Sequence, residues 1–153
     1  MQPVIIREAE EKDVPAIVAL FAADALGGHG DTTDAEALPS YFKAFRRIAD
    51  SDCQTLYVAE RAGEVVGTFE TMISTTMTGR GGSSMIIEAV QTRADCRGQG
   101  IGGQMIEFCL ERARREGLRQ VQLTSNAARV DAHRFYERLG FAKSHFGFKF
   151  KLK

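Results

Sequence analysis

The sequence is poor in features that define whole classes of protein. Its 153 residues include three cysteines, three prolines and no tryptophan. Three cysteines without CxxC spacing are too few for a disulfide framework and suit a reducing compartment, so we expect a cytoplasmic protein. No apolar run approaches the ~20 residues of a membrane span, and the N-terminus lacks a signal-peptide layout. Three histidines offer no metal-ligand pattern, so we expect one domain over 1–153 without a metal.

Net charge is also lacking, because 20 basic and 20 acidic residues cancel. Their distribution is uneven: residues 1–60 contain 11 acidic and 5 basic residues, whereas residues 61–153 contain 9 and 15. Nucleic-acid-binding proteins are more often basic overall, so we expect neither nucleic acid nor a membrane as a partner. Either the asymmetry is chance on a solvated surface, or the C-terminal part holds an anionic ligand and the N-terminal part receives a cationic one.

Hydrophobic periodicity predicts a mixed α/β fold with a largely antiparallel first half. The expected order is β-α-α-β-β-β-α-β-α-β(β). Strands are predicted over 4–8, 55–60, 64–73, 84–92 and 120–125, with one or two closing strands over 141–152. Helices are predicted over 11–24, from about Pro39, from Gly100 to Gly117, and over 129–139.

The most informative segment is the glycine-rich loop 97–103, which lies between an apolar strand and an amphipathic helix. Glycines allow close approach of backbone to a ligand, and the first N–H groups of a helix have no intrahelical partner. Together with Arg97 they favour a phosphate or pyrophosphate site, the alternative being a tight turn without a ligand. The spacing Gly98-x-Gly100-x-x-Gly103 also matches a dinucleotide fingerprint, but that site belongs after the first strand. The Walker pattern fails because no Gly-Lys-Ser/Thr follows.

Arg97-x-x-Gly100-x-Gly102 resembles the acetyl-CoA pyrophosphate signature of the GCN5-related N-acetyltransferases (GNAT). Asn126, followed by the segment 133–141 (HRFYERLGF), resembles the second motif of that family. The element order is also similar, so the resemblance covers nearly the whole chain. It implies a single-domain GNAT-like acyl-CoA N-acyltransferase fold with acetyl-CoA as the acyl donor, although a longer acyl group stays open.

The implied activity is transfer of the acetyl group to a primary amine of a small molecule or peptide, by direct attack in a ternary complex. A non-catalytic CoA-binding or regulatory domain on the same fold is the alternative. The resemblance also implies that Val90 and Thr92 pair with the pantetheine arm, the Val90 N–H pointing at the thioester carbonyl oxygen. Asn126 would contact the same arm, or alternatively cap the turn that follows it. The pyrophosphate would be held by Arg97, Gly98, Gln99, Gly100, Ile101 and Gly102.

Two residues are implied as catalytic. Tyr136 would bind near the thiol and protonate the departing CoA thiolate, since a phenol has a higher reference pKa than a thiol. Its alternative role is a core aromatic. Glu88 lies in an otherwise apolar strand and, if partly buried, would have a raised pKa suited to taking a proton from the amine. A structural ion pair is the alternative. Strand alternation puts Glu88 on one face with Val90 and Thr92 unless a bulge intervenes.

Other polar residues carry weaker hypotheses. His29 and His133 are candidate acid–base groups. The alternative for His29 is a solvated loop histidine, and the alternative for His133 is a residue on a helix surface. Cys96 and Cys109 have no base at a suitable spacing, so we expect no acyl-enzyme. The acceptor is expected at residues 11–52, whose acidic side chains surround the stretch 27–30 and favour a cationic amine. Members of the family often form homodimers, so the resemblance also implies a possible homodimer.

Overall fold

The computed structural model describes residues 2–27 and 29–153, so Gly28 of the stretch 27–30 lies outside the described residues. Its centre is a five-stranded sheet in the order β1-β2-β3-β4-β5. The strands are β1 Ile5–Glu8, β2 Gln54–Arg61, β3 Glu64–Thr75, β4 Ser83–Thr92 and β5 Gln120–Leu123. The helices are α1 Val14–Ala22, α2 Leu38–Ala49, the short irregular α3 Thr78–Gly81, α4 Ile101–Arg115 and α5 Val130–Arg138. No described helix has the length and apolar character needed to cross a membrane.

The first four strands are antiparallel, and β5 runs parallel to β4. Strands β2 and β3 form a hairpin, whose turn places Ala62 and Gly63 at φ 52° and 81°. This left-handed pair matches the twist of the flanking strands, which explains the tight connection. The β4–β5 pairing covers only Ser84–Ile87 of β4, so the second half of β4 extends beyond its neighbour.

Helices cover both faces of the sheet. On one face, Ile17 of α1 packs against Leu56 and Val58 of β2, and α2 covers the same strand. On the other face, α4 buries Met105 and Cys109 among strand residues. The alternation of side chains along β2 explains this division, since successive residues point to opposite faces.

A bulge in β4 overturns the expected strand alternation. Between Thr68–Gln91 and Glu70–Glu88, one residue of β3 lies opposite two residues of β4, and Ala89 adopts a φ of 53°. Glu88 therefore shares a face with Gln91 rather than with Val90 and Thr92, which belong to the α4 face. The extra residue is the physical reason, because it reverses the alternation from that point onward.

The predicted order is confirmed from β1 to α5. Gly100 precedes α4 with a φ of 83°, and Gly117 follows the helix with a φ of 67°, the left-handed conformation expected at such an end. The prediction of closing strands over 141–152 was wrong, because residues 142–153 form no strand. Their sequence does alternate, but alternation alone makes no strand where no neighbouring backbone supplies hydrogen bonds.

Candidate active site

An opening between β4 and β5 exposes backbone along the second half of β4. The two strands pair only as far as Ile87 and Leu123, whereas β4 continues to Thr92. Along residues 88–92 the side of β4 that faces β5 therefore lacks a strand partner within the described chain. Such an edge can pair with an extended polar molecule as another strand would. The predicted pantetheine contacts Val90 and Thr92 both lie on this stretch.

Val90 can contribute there only through its backbone. Its side chain is half-buried and packs against the cluster of Phe69 and Met105 beneath α4. Thr92, at the end of β4, accepts a hydrogen bond at its carbonyl oxygen from Nε of Arg97, at 3.3 Å. That bond ties the open stretch of β4 to the glycine-rich loop.

The loop 97–100 is an exposed cradle of backbone at the N-terminus of α4. Gly98 and Gly100 have φ values of 74° and 83°, and a Cβ added at either would meet no atom within 4 Å. The same is true of Gly103 in the first helical turn. The free N–H groups of this turn and the positive end of the helix dipole suit an anion such as pyrophosphate.

The side chains of the loop have distinct surroundings. Gln99 accepts a hydrogen bond from Arg61 at 2.6 Å and donates one to the Asp95 carbonyl at 3.3 Å. Ile101 is 1% exposed, so it offers only its backbone N–H to a ligand. Arg97 is exposed, and the bond from its Nε to the Thr92 carbonyl leaves its Nη groups to contact a phosphate. The loop could therefore hold an anion mainly through backbone groups, with Arg97 adding charge.

Helix α5 packs directly on the start of α4. A Cβ at Gly102 would lie 3.3 Å from Cζ of Phe135, so a glycine is needed for this contact. The ring of Tyr136 lies edge-on to Phe135 and Phe141, with centroid distances of 5.1 and 5.8 Å. Burial raises the pKa of the Tyr136 hydroxyl, and the nearby charge of Arg129 opposes the rise. Tyr136 is thus a packing aromatic that also keeps its phenolic proton at neutral pH.

Asn126 occupies the loop between β5 and α5. Its Oδ1 accepts a hydrogen bond from the Ala128 N–H at 2.9 Å, which is the local capping role considered from the sequence. Its carbonyl oxygen lies 2.9 Å from Nε2 of His133. These bonds fix the loop and leave the side-chain amide N–H₂ of Asn126 available to a ligand. His133 acts here as a loop anchor on the helix.

Glu88 faces a second carboxylate that sequence reasoning missed. Glu88 is exposed and does not meet the condition of partial burial, whereas its register partner Glu70 is the more buried of the two. Burial raises the pKa of Glu70, and the negative charge of Glu88 raises it further. Both residues line a shallow pocket of about 50 Å³ that also includes Ile48 and Met72.

The pair lies on the α1–α2 face, because Glu70 is the register partner of Leu56, which packs against that face. An acidic residue inside the apolar stretch 65–73 was the available signal for Glu70. Its pairing with Glu88 could not be read without the bulge at Ala89, since an unbulged ladder gives a different register. Two facing carboxylates can receive an amine and accept its proton.

A partly buried ion pair links the end of α1 to the segment before α5. Asp24, whose side chain is 11% exposed, accepts hydrogen bonds from Gln91 at 2.8 Å and Arg129 at 2.6 Å. Burial alone would raise the pKa of Asp24, but the bonds from Arg129 and Gln91 outweigh it and lower the pKa. Asp24 belongs to the acidic segment 11–52 that was expected to receive a cationic acceptor, but its bonds to Arg129 and Gln91 leave it unable to bind one. It joins the end of α1 to both sides of the β4–β5 opening.

Some of the other acidic residues in the segment 11–52 also form internal hydrogen bonds or ion pairs. Asp31 accepts a hydrogen bond from Tyr41 at 2.7 Å, and Glu11 pairs with Arg46 at 2.8 Å. His29 is exposed. Within residues 2–27 and 29–153, no three histidine, cysteine or acidic side chains are grouped so as to hold a metal ion.

The family follows from a comparison of the whole sequence. Residues 14–141, which include the loop, both carboxylates and Tyr136, match the model of the Acetyltransferase (GNAT) family. The chain belongs to the GNAT family of acetyltransferases. This GNAT chain is 31% identical over 144 residues to the L-methionine sulfoximine/L-methionine sulfone acetyltransferase of Pseudomonas paraeruginosa, covering 89% of this chain and 78% of that protein.

Two further relatives extend the comparison. Aminoalkylphosphonate N-acetyltransferase of Salmonella typhimurium is 48% identical over 52 residues, so the matched part spans 34% of each chain. A crystal structure of a protein named a transcriptional regulator from Bacillus halodurans superposes with a TM-score of 0.94 at 38% identity, covering 98% of this chain and 100% of that one. The Bacillus halodurans superposition extends the similarity of fold over nearly the full length of both chains.

Proposed function

We propose that this GNAT protein transfers the acetyl group of acetyl-CoA to a primary amine by direct attack in a ternary complex. The observation that carries the proposal is the continuous path from the unpaired half of β4 to the glycine cradle of α4. An extended amide-containing arm fits the first part and a pyrophosphate fits the second. The facing carboxylates Glu70 and Glu88 lie where β4 leaves its pairing with β5.

The binding roles follow from these surroundings. Val90 and Thr92 offer backbone hydrogen bonds to the pantetheine arm, and the Asn126 side-chain amide offers another. Backbone N–H groups of residues 97–102 and the Arg97 side chain hold the pyrophosphate. The Val90 N–H stabilises negative charge that develops on the thioester carbonyl oxygen, an effect worth a few kcal/mol.

The chemical roles belong to Glu88 and Tyr136. Glu88 takes a proton from the acceptor ammonium, directly or through water, so that the amine nitrogen can attack. A nitrogen–carbon bond forms, the carbon–sulfur bond breaks, and the CoA thiolate receives its proton from Tyr136. The attacking nitrogen gives up its second proton as it becomes the amide nitrogen, and that proton restores the Tyr136 phenol. The raised pKa of Tyr136 keeps the phenol protonated until the thiolate appears.

We further propose an acceptor with a second positive charge. Once Glu88 has taken the proton of the attacking amine, that amine carries no charge and cannot compensate Glu70, whereas a second ammonium can. The paired state of Asp24 leaves Glu70 and Glu88 as the main support for this preference. The name of the Salmonella relative instead indicates an acceptor that carries an anionic phosphonate. Aminoalkylphosphonates are therefore the main alternative to a dicationic acceptor.

A panel of size-matched amines tests the proposal. We expect kcat/KM to be highest for a diamine, lower for a monoamine with no second charged group and lowest for an aminoalkylphosphonate. The preference should shrink as salt rises, because exposed charges are screened over about 8 Å at physiological ionic strength. Glu88→Gln should lower kcat with every acceptor, whereas Glu70→Gln should mainly raise KM for the diamine. An aminoalkylphosphonate or amino acid as the best acceptor would contradict the cationic preference.

A non-catalytic CoA-binding or regulatory domain is the second candidate. It is favoured by the Bacillus halodurans structure, which is named a transcriptional regulator. Glu88 on the acceptor face and the protonated Tyr136 argue for catalysis, because a domain that only binds CoA needs neither. Calorimetric binding of CoA without amine-dependent thiol release would favour this second function.

A further inference from the structure

Three side chains, which we call the bridge (Asp24, Gln91 and Arg129), connect the two sides of the opening between β4 and β5. Oδ2 of Asp24, just after α1, accepts hydrogen bonds from Gln91 at 2.8 Å and from Arg129 at 2.6 Å. Gln91 belongs to the part of β4 that extends beyond its pairing with β5. Arg129 belongs to the segment that continues from β5 to α5. One carboxylate oxygen therefore joins both sides of the opening.

The bridge is held in place by its surroundings. The side chains of Asp24 and Arg129 are 11% and 27% exposed, so water reaches the ion pair only in part. The Leu26 N–H donates to Oδ1 of Asp24 at 3.3 Å, and a Cβ at Gly27 would lie 2.9 Å from Oδ2. The backbone N–H of Arg129 donates to the Asn126 carbonyl at 2.9 Å. Charge-assisted hydrogen bonds of this length fix the orientation of their donors as well as the distance.

The bridge presents polar atoms that its own bonds do not use. Those bonds take one N–H of the Gln91 amide and one nitrogen of the Arg129 guanidinium. The Gln91 side-chain carbonyl oxygen and the other guanidinium N–H groups take no part in them. Because both donors bond the same oxygen of Asp24, this acceptor and these donors lie side by side. An amide matches the pair, since it offers one N–H and one carbonyl oxygen.

The bridge also lies near the groups that act on the thioester in the proposed function. Burial raises the pKa of the Tyr136 hydroxyl, and the charge of Arg129 opposes that rise, so the guanidinium is close to this phenol. Gln91 follows Val90, whose N–H is assigned to the thioester carbonyl oxygen. The amides of the pantetheine arm precede its thiol, so they pass this part of the opening.

We propose that the bridge binds the pantetheine arm, with Arg129 donating to a carbonyl oxygen of the arm and Gln91 accepting from an N–H of the arm. Asp24 is a positioning residue, which holds both side chains across the opening. The inference rests on the proposed function, because it needs CoA to lie along β4. The backbone of Val90 and Thr92 then pairs with the side of the arm that faces β4, and the bridge contacts the side that faces α1.

The test compares two ligands by calorimetric titration: CoA, and adenosine 3′-phosphate 5′-diphosphate, which is CoA without the pantetheine arm. Arg129→Met should raise the Kd for CoA by about 10–100-fold, the effect of losing a hydrogen bond from a charged donor. The Kd for the shorter ligand should stay within about twofold, because the lost charge is screened from the pyrophosphate site. Arg46→Met is the matched control, since Arg46 pairs with Glu11 at 2.8 Å in an exposed ion pair, and it should change neither Kd.

Two milder variants test the role of Asp24. Gly27→Ala changes no charge but displaces the Asp24 carboxylate, so it should weaken the binding of CoA and not of the shorter ligand. Asp24→Asn should raise the Kd for CoA by about 3–10-fold, and by less in the Arg129→Met background, since Asp24 acts partly through Arg129. Circular dichroism should give the wild-type spectrum for every variant.

The two ligands separate a binding role from a structural one. Equal losses for both ligands in Arg129→Met, or an unchanged Kd for CoA, would overturn the inference and leave the proposed function intact. Fully additive effects of Asp24→Asn and Arg129→Met would overturn the positioning role of Asp24. A wild-type protein that binds no CoA would overturn the proposed function and the inference together.

Discussion

The glycine cradle is tested by placing the same negative charge at the two ends of α4. In Gly100→Asp the new carboxylate lies in the proposed pyrophosphate site. In the control Gly117→Asp it lies beyond the other end of the 15-residue helix, about 22 Å away. The two glycines have similar φ values, 83° and 67°, and an added Cβ meets nothing within 4 Å at either. Backbone strain of about 1–2 kcal/mol is therefore common to both variants.

Calorimetric titration with CoA separates the effect of the new charge on binding from the effect of backbone strain. A charge-assisted hydrogen bond contributes about 1.5–3 kcal/mol, so losing two at Gly100 costs about 3–6 kcal/mol, or about 10²–10⁴-fold in Kd. Gly117→Asp should keep the wild-type Kd within about twofold, while Tm falls by about 2–8 °C in both variants. Unchanged affinity in Gly100→Asp, or equal losses in the two variants, would refute the assignment of the cradle.

Three further predictions concern the neighbouring residues. Tyr136→Phe should lower kcat by about 10²–10⁴-fold with an unchanged Kd for CoA in calorimetry, the range for loss of a general acid. Glu70→Gln should raise Tm at pH 7 but not at pH 4: the raised pKa of Glu70 means that the folded state loses stability as pH rises from the unfolded pKa through the folded one. Gly103→Ala should raise the free energy of unfolding by about 0.5–1 kcal/mol in denaturant titration, since Ala favours the helix. Gly102→Ala should lose that gain, because its Cβ lies 3.3 Å from Phe135.

The sequence predicts the parts of this structure that depend on local pattern. The start of α4 follows from glycines before an apolar stripe, and its end follows from Gly117. The strands predicted over 55–60 and 64–73 leave only residues 61–63 between them, and the structure closes this gap as a hairpin turn. Each of these features is encoded by residues a few positions apart, so spacing alone carries the information.

The parts that sequence reasoning missed depend on register and on distant contacts. One extra residue at Ala89 turns Glu88 to the α1–α2 face and sets it opposite Glu70. Asp24 and Arg129 are 105 residues apart in the chain, so no periodicity links them. Residues 141–152 alternate as a strand would, but alternation supplies no neighbouring backbone, and residues 142–153 form no strand.

Amine-dependent release of the CoA thiol is the most direct test of the central claim. Purified protein is mixed with acetyl-CoA and the amine panel, and free thiol and acetylated amine are both quantified. The account predicts one thiol released for each amine acetylated, with a rate that saturates in both substrates. Tight CoA binding in calorimetry with no thiol release above the rate without amine, for any member of the panel, would contradict it.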